Sequence, residues 1–219
     1  MSNDETHPEG GGPSSERETP VRGTRSSETM TSSQRTKNER TILIDPGWGG
    51  SRPGAVANGL TTKGLNLSTG FMVADYLHEK GYNVAMTRTT DVFIPLIQRV
   101  GLANELGVDL YVSIHYNSAF PTGHGAEAFV HATEGEAAGL CAEAVLAAVV
   151  GTTGFRNRGV KSGDYYVLEH THMPAVLICP GFVSSLRDSE QLGKISTIRD
   201  IARAIGVGVD EYFSHISPS

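Results

Sequence analysis

The sequence predicts an α/β domain: a largely parallel, mixed β-sheet of about six strands, with helices on both faces. Two observations predict it. From Thr41 onward, short apolar runs of strand character alternate with segments of helical period, the order that places parallel strands between covering helices. Glycines follow two of the helical segments directly, at Gly81 and Gly107, where a left-handed residue stops a helix.

The elements follow in order. Thr41-Ile42-Leu43-Ile44 is an apolar run ending in Asp45-Pro46-Gly47, a buried strand entering a loop. Leu67, Phe71, Ala74 and Leu77 recur at helical spacing before Gly81, and Tyr82–Met86 reads as the next strand. Ile94 to Leu106 is a second helix, and Leu110–Ile114 a third strand. Ala126–Val130 alternates like a strand with one wetter face; a helix follows whose apolar stripe is Ala137, Leu140, Cys141, Ala144, Val145 and Ala148. Ala175–Ile178 is the last strand. Ile198, Ile201, Ala202, Ile205, Val209 and Tyr212 mark one face of the closing helix.

One domain, residues 41–213, holds everything with apolar periodicity. Residues 1–40 carry Val21 and Met30 as almost their only sizeable apolar side chains and are expected to form a disordered tail. Residues 214–219 form a short C-terminal tail. Arg-Ser clusters at Arg25-Ser26 and near Ser32-Ser33 are expected to serve as a tether or as docking sites for a protein partner.

Composition excludes several classes. The net charge of −6 and pI near 5.7 argue against nucleic acid as a partner, which calls for a basic surface. No run reads as long and apolar enough for a membrane span. The N-terminus lacks a basic-then-apolar leader pattern, so the expected localisation is cytoplasmic as encoded. Two cysteines, Cys141 and Cys179, make neither a disulfide framework nor a zinc knuckle.

In such sheets, functional loops leave the carboxyl ends of the strands. Three polar clusters lie there: Asp45-Pro46-Gly47-Trp48-Gly49-Gly50, His115-Tyr116-Asn117-Ser118 and Cys179-Pro180-Gly181-Phe182. Their order and surroundings resemble the zinc-dependent N-acetylmuramoyl-L-alanine amidases. The resemblance is carried by Ile44-Asp45-Pro46-Gly47-x-Gly49-Gly50; Asn58-Gly59-Leu60-Thr61-x-Lys63; Thr87-Arg88 with Asp91; and Arg99 with Ala103-Asn104. Ser113-Ile114-His115-x-Asn117 and Met173-Pro174-Ala175-Val176-Leu177-Ile178-x-x-Gly181-Phe182 complete it. It implies hydrolysis of the amide between the muramyl lactyl group and L-alanine in peptidoglycan. It also implies a zinc held by His, Glu and His, with a further Glu handling protons.

Mapped onto that pattern, the sequence departs at three of four positions. Trp48 stands at the first histidine, Thr62 at the ligand glutamate and Cys179 at the proton-handling glutamate; only His115 is retained. An indole N–H donates and cannot ligate, and a neutral hydroxyl is a poor zinc ligand. The expected cofactor is therefore none, zinc belonging to active members. His124, His170 and His172 are the residues that would have to swing in to rebuild the site. Cys179 beside His115 has the residue types of a nucleophile and base; a strand-end thiol filling buried space is the plainer reading. Trp48 either stacks on glycan or plugs the vacated pocket.

The expectation is an amidase homologue of peptidoglycan metabolism, impaired in catalysis, that binds muropeptide, peptidoglycan or a cell-wall partner, with Trp48, Asn117 and Arg99 as substrate-binding residues. Two alternatives stand beside it: a hydrolase working through a rearranged metal site or Cys179, and an interaction module unrelated to peptidoglycan. Release to the cell wall would need a route other than a leader.

Overall fold

The computed structural model describes residues 35–119, 123–133 and 135–216. A six-stranded sheet runs through the domain. In chain order its strands are β1 (Thr41–Pro46), β4 (Asn83–Met86), β5 (Leu110–Ile114), β6 (Ala126–Val130), β7 (Asn157–Ser162) and β8 (Ala175–Cys179). Their order across the sheet is β4-β1-β5-β8-β6-β7. Every pairing is parallel except β6 with β8, so the sheet is mixed, as the sequence predicts. A small antiparallel hairpin, β2 (Val56–Ala57) and β3 (Leu60–Thr61), precedes the first helix.

The helices are α1 (Thr62–Glu79), α2 (Leu96–Leu106), α3 (Glu136–Thr153), α4 (Tyr166–Glu169), α5 (Leu186–Leu192) and α6 (Ile195–Ile216). Alternating strand side chains divide the core in two. Ile42 and Ile44, Val112 and Ile114, and Val176 and Ile178 pack with Val73, Val145, Ile201 and Ile205 from α1, α3 and α6. On the opposite face Leu43, Tyr111, Leu177 and Cys179 meet Val100 and Ala103 of α2 and Val167 and Leu168 of α4. This second layer is thin, because α4 has a single turn.

Several boundaries differ from the sequence reading. The second helix begins at Leu96, not Ile94: the residue before Pro95 is disfavoured in the helical region, and Ile94 instead offers its carbonyl to Arg99. In α3 the buried stripe is Ala138, Cys141, Ala142, Val145, Leu146 and Val149, and Leu140 is 45% exposed. Alanine and valine line most sides of this helix, so period alone leaves its phase open. By length and composition alone α3 is apolar enough to cross a bilayer, a correction to the sequence reading, but its stripe packs on α6 and the sheet.

The tail boundary also moves. Residues 35–40 are tied to the domain, although 36–39 are exposed: Arg40 is 1% exposed with its guanidinium 4.5 Å from the Phe213 ring centre. Arg35 pairs with Asp109 and Lys37 with Asp210. At the other end α6 continues to Ile216, three residues beyond the predicted boundary of 213. Residues 1–34, including the Arg-Ser clusters, lie outside the described residues.

Candidate functional site

Because β1, β5 and β8 are adjacent and parallel, their exit loops emerge side by side. Register places Asp45 beside Ser113 and Ser113 beside Leu177, all on the thinly covered face. There a cavity of about 560 Å³ opens. It is lined by Asp45, Trp48, Arg99, His115, Asn117 and Cys179, with Arg52, Phe93, Leu96, Tyr165 and Tyr166 around them. All three clusters singled out in the sequence thus contribute to one site.

Two buried arginines hold the β1 exit loop beside it, and of the two Arg99 lines the cavity. Arg88 donates to the carbonyls of Pro46 (2.9 Å), Gly47 (3.0 Å), Lys63 (2.8 Å) and Thr90 (3.1 Å). Arg99 donates to Asp45 Oδ1 (2.5 Å) and to the carbonyls of Pro46 (3.0 Å), Trp48 (2.9 Å) and Ile94 (2.9 Å). Asn66 adds a donation to Gly47 O at 3.0 Å and accepts from Tyr116 N at 2.9 Å, tying the β1 loop to the β5 loop. Lys63 and Asp91 brace Gly50 from outside. Burial raises the Asp45 carboxyl, but Arg99, Thr87, Tyr111 and His115 together outweigh it and hold it below the ordinary carboxylate range.

His115 packs directly against Gly47: a Cβ on that glycine would strike Cε1 and Nε2 of the imidazole, so only glycine lets the ring sit there. Burial pushes His115 down to about 4, and the Arg99 and Arg88 charges add to this against the pull of Asp45. The ring is therefore neutral at physiological pH. Trp48 stands edge-on to it, ring centres 6.2 Å apart and planes at 66°. Its backbone is left-handed (φ 61°), a conformation that is strained for a bulky side chain. Gly54 lies beneath both Trp48 and Thr62, since a Cβ there would meet the indole and the Thr62 hydroxyl together. The positions of the three expected ligands converge. Thr62, however, does not line the cavity, and its hydroxyl donates to Pro53 O at 3.2 Å.

Cys179 is buried at the end of β8; burial pushes its thiol well above the ordinary range, Glu127 pushes it further, and Lys161 opposes. A protonated, buried thiol is a poor nucleophile. Of the other expected contacts, Asn117 and Arg99 border the cavity with their polar atoms engaged inside the protein. Asn117 Nδ2 donates to Glu127 Oε1 at 2.7 Å and its Oδ1 accepts from Ser118 N at 2.8 Å. Trp48 differs: the residue is 40% exposed. His124, His170 and His172 are not among the lining residues; His170 stacks on Tyr166 instead.

Glu127 was not singled out by the sequence reading. It pairs with Cys179 across β6 and β8 and binds Arg158 (2.7 Å) and Lys161 (2.5 Å) of β7. The signal was present: an acid amid Ala126, Ala128, Phe129 and Val130 needs a buried partner. Arg52, Phe93 and Tyr165 were missed as well, since nothing in a loop sequence tells which side chains face a cleft.

These donors do not fit a zinc ion. The indole N–H and the Thr62 hydroxyl offer no anionic or imidazole ligand, Cys179 holds its proton, and His115 alone presents a suitable lone pair. Among the described residues no cluster of three His, Cys, Asp or Glu side chains is placed to hold a metal.

An α/β domain with its cavity at the carboxyl ends of three parallel strands, lined there by Asp45, Arg99 and His115, has the architecture of an amidase-family domain. The chain belongs to the N-acetylmuramoyl-L-alanine amidase family, whose model matches residues 42–211. It is 38% identical over 175 residues to the Bacillus subtilis uncharacterized protein YqiI, covering 80% of this chain and 85% of that protein. It is 33% identical over 175 residues to the sporulation-specific N-acetylmuramoyl-L-alanine amidase of Bacillus subtilis, covering 79% of this chain and 68% of that one. Among solved structures, an N-acetylmuramoyl-L-alanine amidase from Clostridium difficile 630 superposes with a TM-score of 0.78 at 30% identity, covering 81% of this chain and 98% of the other.

Proposed function

We propose that this amidase homologue binds peptidoglycan or its muropeptide fragments in the cavity and does not hydrolyse them. The observation that carries this reading is the pairing of Trp48 with His115: an exposed indole stands where the resemblance implies a metal-binding histidine, on an otherwise intact frame. An indole face suits a sugar ring, and a neutral His115 without a neighbouring free carboxylate has no partner with which to generate a hydroxide. Within this reading no zinc is held. The N-terminal segment is assigned the role of an arm for a protein partner.

The test joins three measurements on purified protein. It should co-sediment with insoluble peptidoglycan, release no L-alanine amino termini from it, and contain well under one equivalent of zinc. Trp48→Ala should weaken sedimentation about tenfold, the loss expected for one contact of an aromatic ring with apolar surface. Stoichiometric zinc that disappears in His115→Ala, together with amide cleavage, would overturn the reading.

A further inference from the structure

Among its described lining residues the cavity combines apolar walls with one cation that makes no ion pair. Arg52 lies at its mouth with an exposed side chain, its guanidinium 5.9 Å from the ring centre of Phe93. Among the described residues it makes no ion pair. Its backbone is fixed by reciprocal 2.9 Å hydrogen bonds with Gly49, so the point from which the side chain extends is held in place. Asp45 is the only carboxylate among the described lining residues, and Arg99 engages it. Behind them Lys63 pairs with Asp91, and Arg88 is faced by Asp91 and, more weakly, by the same Asp45. The chain as a whole carries −6, yet this concavity carries a positive excess. A concentration of one sign in a cleft walled by apolar side chains focuses the field toward ligands of the other sign.

We propose that the cavity recognises its ligand through a carboxylate, held by Arg52 at the mouth, while Trp48, Phe93 and Tyr165 cover uncharged sugar and methyl surface. This rests on the muropeptide reading above and narrows it to acidic stem peptides. A guanidinium offers a carboxylate two parallel hydrogen bonds, and a cavity of about 560 Å³ is of the size that takes one small ligand. A cationic stem terminus finds no free carboxylate among the described lining residues.

The experiment is calorimetric titration of the full chain with an N-acetylmuramoyl dipeptide carrying a free C-terminal carboxylate, and with the same compound as its carboxamide. Wild type should bind the acid about tenfold more tightly, equivalent to about 1.4 kcal/mol. The preference should shrink with added salt. Arg52→Gln, at an exposed position, should keep the melting temperature and lose the preference, and Arg52→Lys should keep part of it. Equal binding of acid and amide by wild type overturns the carboxylate proposal while the muropeptide reading stands. A preference that survives in Arg52→Gln overturns the assignment to Arg52. Binding of neither compound, with no co-sedimentation, overturns both.

Discussion

Trp48 holds a left-handed backbone although it is the bulkiest side chain available. It can do so because Arg99 grips its carbonyl and Gly54 clears room under its ring. The consequence is testable by restoration. Trp48→His, Thr62→Glu and Cys179→Glu together should bind zinc and cleave the muramyl–L-alanine amide, while each change alone does little, because groups acting as one unit are non-additive. A triple variant that folds and binds zinc yet cleaves nothing would place the loss in the cleft itself. Arg99 has a different weight. Removing one partner of a buried ion pair costs about 3–5 kcal/mol, so Arg99→Met should lower stability by that order in urea unfolding. The pH profile carries a sign as well. Asp45 lies below its ordinary value, so its contribution is present above about pH 4, the unfolded value, and is lost as pH falls through the lowered one. In Arg99→Met the main lowering influence is gone and burial raises the Asp45 carboxyl; the folded state then no longer loses its hold on this group as the proton binds, so stability should fall less on acidification than in wild type. An unmoved acid limb would show that Asp45 draws its charge stabilisation from elsewhere.

Between α3 and α6 the helices meet so closely that a Cβ on Gly208 would strike the main chain of Val145. Gly208→Ala should therefore destabilise by about 1–3 kcal/mol, although alanine is the better helix former by about 1 kcal/mol. Leu140→Gln on the outer side of α3 should stay within about 0.5 kcal/mol; thermal melts of both variants check the corrected stripe. A neutral Gly208→Ala would mean that the two helices can separate. The closing helix was fully legible, since its six predicted apolar positions are all buried. The α3 phase was not, because small apolar residues surround it. Strand β7 was missed for a physical reason: Asn157-Arg158-Gly159-Val160-Lys161-Ser162 is an edge strand whose charges neutralise Glu127, and no period in it reveals that. The β2–β3 hairpin had a usable signal in Asn58-Gly59, both at positive φ, as tight hairpin turns require.

For the whole molecule, the anchoring of residues 35–40 through Arg35, Lys37 and Arg40 predicts a contrast between two truncations. Deletion through Arg40 should lower the melting temperature by about 4–8 °C relative to deletion through Gln34, taking about 2 kcal/mol for the lost Arg40 packing and ion pairs. Equal melting temperatures would mean that these contacts contribute nothing. The convergence of three strand ends on one cavity was legible because parallel topology dictates it; the commitments of Asn117 and Arg99 were not, because hydrogen-bond partners 10 and 54 residues away leave no local trace. The manner in which Arg88 and Arg99 hold the β1 loop has a historical consequence. Apart from the Asp45 carboxylate they grasp carbonyl oxygens, which every residue type supplies, so the course of the loop depends little on the side chain at position 48. A lineage can then exchange its reactive groups one at a time, in any order, without passing through an unfolded ancestor. The same scaffold would tolerate exchange in either direction.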